Sequence, residues 1–146
     1  RKFSYRRLPD MYGELILFFS TGIMATGISA LVAVTQPALN VVGFTPGIAI
    51  SLLAILLFLA VVGVHAIVSI VAASAIIAPL NPEPAILALI FLVSWSVGAT
   101  GGPISGLNLA MQSRYGVTMR QCFTWNLRYT LTMFIGTSII LLIAMD

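Results

Sequence analysis

Two groups of residues in this sequence could do chemistry. The first is Gly63-x-His65-x-x-x-Ser69, which holds the sole histidine of the chain. On a helix His65 and Ser69, four residues apart, would share one face. An imidazole can bind a substrate or carry a proton near neutral pH. Inside an apolar run such a group tends to face a cavity or a partner; a hydrogen bond to a neighbouring carbonyl, made for packing alone, is the other reading. The second group is Gly98-Ala99-Thr100-Gly101-Gly102-Pro103-Ile104-Ser105-Gly106, followed closely by Asn108. Four glycines and a proline in that span are expected to interrupt a helix. An interruption frees N–H groups at one helix end, which suit an anion, and carbonyls at the other, which suit a cation such as Na⁺. Ser94, Ser96, Thr100, Ser105 and Asn108 bring hydroxyls and an amide to the same place. The alternative is a plain loop between two interfacial segments.

No catalytic set accompanies these groups. The four acids, Asp10, Glu14, Glu83 and Asp146, stand near the ends or, for Glu83, between two prolines. No Ser/His/Asp arrangement can be drawn from them, and an enzyme is not expected. Gly101-Gly102 lacks the downstream Gly-Lys-Ser/Thr of a phosphate-binding loop. One cysteine, Cys122, excludes an internal disulfide and a Cys-rich metal site. No metal and no organic cofactor is expected, and Na⁺ or H⁺ enters only as a coupling ion. The small residues from Ser69 to Ala75 also suit close helix packing.

The elements that must position these groups are apolar helices. Of 146 residues 60% are hydrophobic and 8% charged, whereas a soluble domain is nearer one quarter charged. From Leu15 to Ser113 the one formally charged residue is Glu83. No water-soluble surface can be built from that stretch, so an all-α membrane protein of about three to five transmembrane or re-entrant helices, at least one of them broken, is expected in the lipid bilayer. A nucleic-acid partner is excluded, because seven Lys and Arg set against four acids make no dense basic face.

Five stretches can be marked. Leu15 to Thr35 is long enough to span, with Pro9-Asp10 opening it and Glu14 in its first turn; Gln36-Pro37 and residues 40–46 form a loop rich in breakers. Gly47 to Leu80 is too long for one straight crossing and is expected to break at Gly63-Val64-His65. Asn81-Pro82-Glu83-Pro84 is a turn. Ala85 to Ala99 is short for a span, Leu107 to Ser113 shorter still, and Phe123 to Met145 is the last span. Residues 1–7, with Arg114 and Arg120, are placed in the cytoplasm by their positive charge. The chain then crosses an even number of times between residues 10 and 114. Either 47–80 crosses once and 85–113 is a re-entrant pair, or 47–80 doubles back and 85–113 is one broken crossing. Arg128 is read as snorkelling to the interface, with Trp125 and Tyr129 in an aromatic belt; a counter-ion to substrate or lipid is the other role open to Arg128.

The run Val64-His65-Ala66-Ile67-Val68-Ser69-Ile70, a small-residue stretch ending in Ala78-Pro79, the segment from Gly98 to Leu109, and Tyr115-Gly116-Val117 together resemble the second half of ion transporter superfamily permeases. These include citrate and arsenite permeases, divalent anion/sodium symporters and the large membrane subunit of tripartite periplasmic transporters. The resemblance covers roughly residues 60–120. It departs at Ala66, where a proline follows the histidine in the family, and in lacking a Ser-Asn-Thr motif. It implies substrate and ion contacts at or beside His65, Ser69, Thr100, Gly101, Gly102, Ser105 and Asn108. It also implies that the chain is the C-terminal half of an inverted-repeat transporter, the other half lying upstream, in a second subunit, or in a second copy as a homodimer; the first residue, Arg1, fits an upstream half.

The resulting expectation is a single transmembrane domain over 1–146. It is part of a secondary active transporter moving a small organic or inorganic anion with H⁺ or Na⁺ in the cell inner (plasma) membrane, multi-pass. The competing expectation is a non-transporting membrane anchor or assembly subunit. Transport requires the 98–106 interruption to lie inside the bilayer beside a cavity, and an anchor leaves it at the headgroups.

Overall fold

A computed structural model describes residues 12–35, 43–102 and 105–146. The basic cluster at 1–7, the Pro9-Asp10 helix start, the breaker loop at 36–42 and Pro103-Ile104 lie outside the described residues. All regular structure among the described residues is helical: α1 (Tyr12–Thr35), α2 (Pro46–Val62), α3 (Ala66–Ile77) with a 3₁₀ turn at Ala78–Leu80, α4 (Pro84–Gly101), α5 (Gly106–Tyr115) and α6 (Met119–Ala144).

The boundaries follow local chemistry. Thr45 caps α2, its hydroxyl accepting from the Ile48 N–H at 3.4 Å, and Pro46 opens the helix where a missing N–H costs nothing. Gly63 ends α2 at φ 102°, a left-handed conformation natural to glycine. Pro84 opens α4, and Thr118 with Gln121 forms a reciprocal cap on α6. That cap starts α6 at Met119, four residues before the expected Phe123. Glycine does not stop α4 where expected, at Ala99; the helix continues through Thr100 to Gly101.

α2 and α3 fold back on each other. A groove of about 480 Å³ runs between them, walled by Thr45 to Leu59 on one side and Ser69 to Ile77 on the other. This is the doubling-back arrangement of residues 47–80. α4 packs along α2 in the same direction, and α6 returns along both. Leu53, Ile90, Val97 and Leu141 are the largest fully buried side chains where these three helices meet. α1 packs on α3. Among the described residues, Pro84–Tyr115, which takes in α4 and α5, and Met119–Ala144 are long and apolar enough to cross a membrane by length and composition; Pro46–Val62 and Ala66–Leu80 are shorter apolar helices. The hydroxyls on these helices turn inward on their own backbone: Ser51, Ser69, Ser74, Ser94 and Ser138 each donate to a carbonyl three or four residues back. No buried side-chain polar atom among the described residues lacks a partner.

Candidate functional site

The tip of the α2–α3 hairpin is built by three residues. The Gly63 N–H donates to the Ala60 and Leu59 carbonyls, and the Val64 N–H donates to Leu59 as well. His65 then stands as the N-cap of α3, its Nδ1 accepting from the Ile67 N–H at 3.3 Å. With Nδ1 an acceptor, the neutral ring carries its proton on Nε2 as a donor. The imidazole meets Trp95 of α4 edge to face, ring centroids 6.3 Å apart and planes at 88°.

The α4–α5 link is held by hydrogen bonds on both sides. The Gly102 N–H donates to Gly98 O, and the Ser105 N–H to Gly102 O, each at 2.9 Å. Ser105 caps α5, its hydroxyl accepting from the Asn108 N–H at 3.3 Å. The buried Asn108 amide reaches back, Nδ2 donating to Thr100 O at 2.8 Å and to Gly102 O at 2.9 Å. Asn108 thereby fastens the start of α5 to the end of α4.

Hairpin tip and link meet around a cavity of about 160 Å³. His65 and Ala66 line it from the tip, Trp95 from α4, and Ser105, Gly106 and Leu107 from α5. The first N–H groups of a helix have no intrahelical acceptor, and their end of the helix dipole is positive. Ala66 begins α3 and Gly106-Leu107 begins α5, so two helix N-termini open on one space. Among the described residues no acidic side chain lines it. An arrangement of donors without a carboxylate favours a small anion.

Of the seven residues singled out in the sequence, His65 and Ser105 line this cavity. Ser69 does not share it with His65. Because α3 starts at Ala66, His65 is a cap and not part of the helical face, and Ser69 is buried in the α2–α3 groove with its hydroxyl on Ala66 O. Thr100 turns its hydroxyl to the Ser96 and Val97 carbonyls. Gly101 lies against Thr130 of α6, where a Cβ would strike the Thr130 Oγ1. Gly102 lies against α2, where a Cβ would come within 2.8 Å of Ala60 O and 2.7 Å of Gly98 O. Asn108 is engaged with backbone. These four position the cavity and do not line it. The Thr100 and Gly102 carbonyls, at the end of α4, accept from Asn108. Glu83 is exposed at the start of α4. Among the described residues no three His, Cys, Asp or Glu side chains gather as a metal site.

Sequence reasoning passed over Trp95, Gly98 and Gly106 as cavity walls. Trp95 stands one turn before Gly98 on α4, and that spacing of a large and a small residue was the available signal. Comparison of the chain with protein-family models, with curated protein sequences and with solved structures finds no match.

Proposed function

We propose that this chain is part of a secondary membrane transporter and that the cavity between the hairpin tip and the α4–α5 link binds a small anion. The observation that carries this reading is the convergence of the α3 and α5 N-termini, with His65 and Ser105, on a space whose described wall holds no carboxylate. A bulk water occupies about 30 Å³, so the 160 Å³ of the cavity suits an anion the size of an inorganic oxyanion or a short carboxylate. His65 lines the cavity and can carry a coupling proton, which makes H⁺ the proposed coupling ion.

Depth supports the same reading. A hydrocarbon layer about 30 Å thick takes about 20 helical residues. Laid back from Ala144, it begins near Trp125 on α6. Gly101, at the end of α4, lies against Thr130, five residues further along. The end of α4, beside the cavity, then sits about 7 Å inside the layer at 1.5 Å per residue, on the side where Arg114 and Arg120 place the cytoplasm. Backbone outside helices is tolerated there when it lines a cavity. Such a site is completed by a second, inverted half, in a multi-pass protein of the inner membrane.

The test is thiol accessibility in a Cys122→Ser background, with single cysteines at Ser105, Gly106 and Leu107, in inside-out membrane vesicles. Transport predicts slow reaction with a small water-soluble reagent, and protection by sulfate, phosphate or citrate. Fast reaction at all three positions, unaffected by any anion, would put the link at a membrane surface and replace the transporter with the anchoring-subunit reading.

A further inference from the structure

The exposed face of α6 changes character along its length. From Arg120 to Tyr129 it presents Arg120, Gln121, Thr124, Trp125, Arg128 and Tyr129, all exposed. From Leu131 onward the large exposed side chains are aliphatic: Leu131, Ile135, Ile139, Ile140, Leu142 and Ile143. At 100° per residue the six polar and aromatic positions fall within one half of the helix circumference. Arg120, Thr124 and Arg128 form its leading stripe, and Trp125 and Tyr129 flank it. Arg114, exposed in the last turn of α5, stands at the same end of the molecule. Neither α5 nor α6 carries an acidic side chain. Glu83 and Asp146 lie at the opposite end, at the start of α4 and just past the end of α6.

We propose that this arc of α6 binds the headgroup phosphate of an anionic phospholipid on the cytoplasmic side. The proposal rests on the membrane reading and not on the anion cavity. With the hydrocarbon edge near Trp125, Arg120 lies about 7 Å above it and Arg128 about 5 Å below it. Arginine side chains reach several ångströms and snorkel toward the headgroups, so both guanidinium groups arrive at the phosphate plane from opposite sides. A guanidinium is matched to a phosphate by its fork of donors. The indole of Trp125 and the phenol of Tyr129 lie where amphipathic rings partition between acyl chain and headgroup. A net positive arc with no carboxylate on α5 or α6 discriminates by charge, so phosphatidylglycerol is bound in preference to phosphatidylcholine.

The chain has two tryptophans, so Trp95→Phe leaves Trp125 as the single reporter, between Arg120 and Arg128. The protein is reconstituted in phosphatidylcholine vesicles with a rising fraction of brominated phosphatidylglycerol or of brominated phosphatidylcholine, and Trp125 fluorescence is read. Quenching by brominated phosphatidylglycerol is expected at about tenfold lower mole fraction than by the brominated phosphatidylcholine, since each basic residue near the surface contributes several-fold. Arg120→Gln/Arg128→Gln should remove the difference, and Arg120→Lys/Arg128→Lys should keep most of it. Equal quenching by the two lipids overturns the proposal, as does a preference that survives the double glutamine variant. Absence of quenching by either lipid overturns it too, because the arc is then covered by protein or by water.

Discussion

The Nδ2 group of Asn108 donates to two carbonyls, Thr100 O and Gly102 O, across the α4–α5 link. Sequence reasoning could place Asn108 beside the interruption but could not tell a ligand-binding amide from one that fastens backbone. The difference is a matter of reach: α5 begins at Gly106, so Asn108 is in its first turn and faces back over the end of α4. Replacing it by alanine takes the donor from Thr100 O, at roughly 1–3 kcal/mol, while Gly102 O keeps the Ser105 N–H. Asn108→Ala should therefore melt several degrees below the parent in detergent, and sulfate protection of a cysteine at Gly106 should weaken with it. Asn108→Asp should do no better, because a carboxylate offers these carbonyls no donor. An unchanged melting temperature with anion protection lost would instead mean that the amide touches the anion. His65 was legible as a polar exception in an apolar run. Its capping of Ile67 was not, because that depends on Gly63 ending α2 two residues earlier.

At the scale of elements, an interruption within 98–106 was legible, since α4 ends at Gly101 and α5 begins at Gly106, but the packing role of Gly98, Gly101 and Gly102 was not. As isolated residues they disfavour helix by up to about 1 kcal/mol each relative to alanine. Packing reverses the outcome. A Cβ on Gly98 would lie 3.0 Å from the Ala60 Cβ, and one on Gly102 would press on the Ala60 carbonyl, so α4 approaches α2 more closely than any larger residue would permit. Contacts of that kind between helices distant in sequence cannot be seen in a local pattern. The hairpin break at Gly63 and the turn at Asn81 were visible, since each needs a left-handed residue that the sequence supplies there, at φ 102° and 48°. The close approach gives a contrast between neighbours. Gly102→Ala meets backbone on both sides, which has no rotamer to change, and should cost toward the upper end of the roughly 1–3 kcal/mol typical of overpacking. Gly101→Ala meets the Thr130 hydroxyl, a side-chain atom, and adding Thr130→Ala should restore most of its loss. Thermal melts of the two single variants and the double one check this. Equal damage at both positions, with no relief from Thr130→Ala, would mean that the end of α4 is not held against α2 and α6 at these separations.

For the whole molecule the consequence is a direction. α4 runs from Glu83 toward Gly101, α6 runs back from Arg120 past Thr130, and the α2–α3 hairpin turns at the same end as the α4–α5 link. The exposed Arg114 and Arg120 mark one face, and the exposed Glu83 and Asp146 mark the other. Composition alone made the chain a candidate for lipid, and the basic residues made an orientation, but the path between residues 47 and 113 had two solutions. The shared α2–α3 groove selects the one in which 47–80 doubles back. Under the proposed membrane reading, that solution puts a cysteine at Ser113 and a cysteine at Glu83 on opposite sides of the membrane, with Ser113 inside. Had residues 85–113 formed a re-entrant pair, both positions would open on the same side. In a Cys122→Ser background, an impermeant thiol reagent added to intact cells should label the cysteine at position 83 and leave the one at position 113 untouched until the membrane is opened. Labelling of both from outside, or of neither, would refute the doubled-back path and return the cavity's depth to question with it.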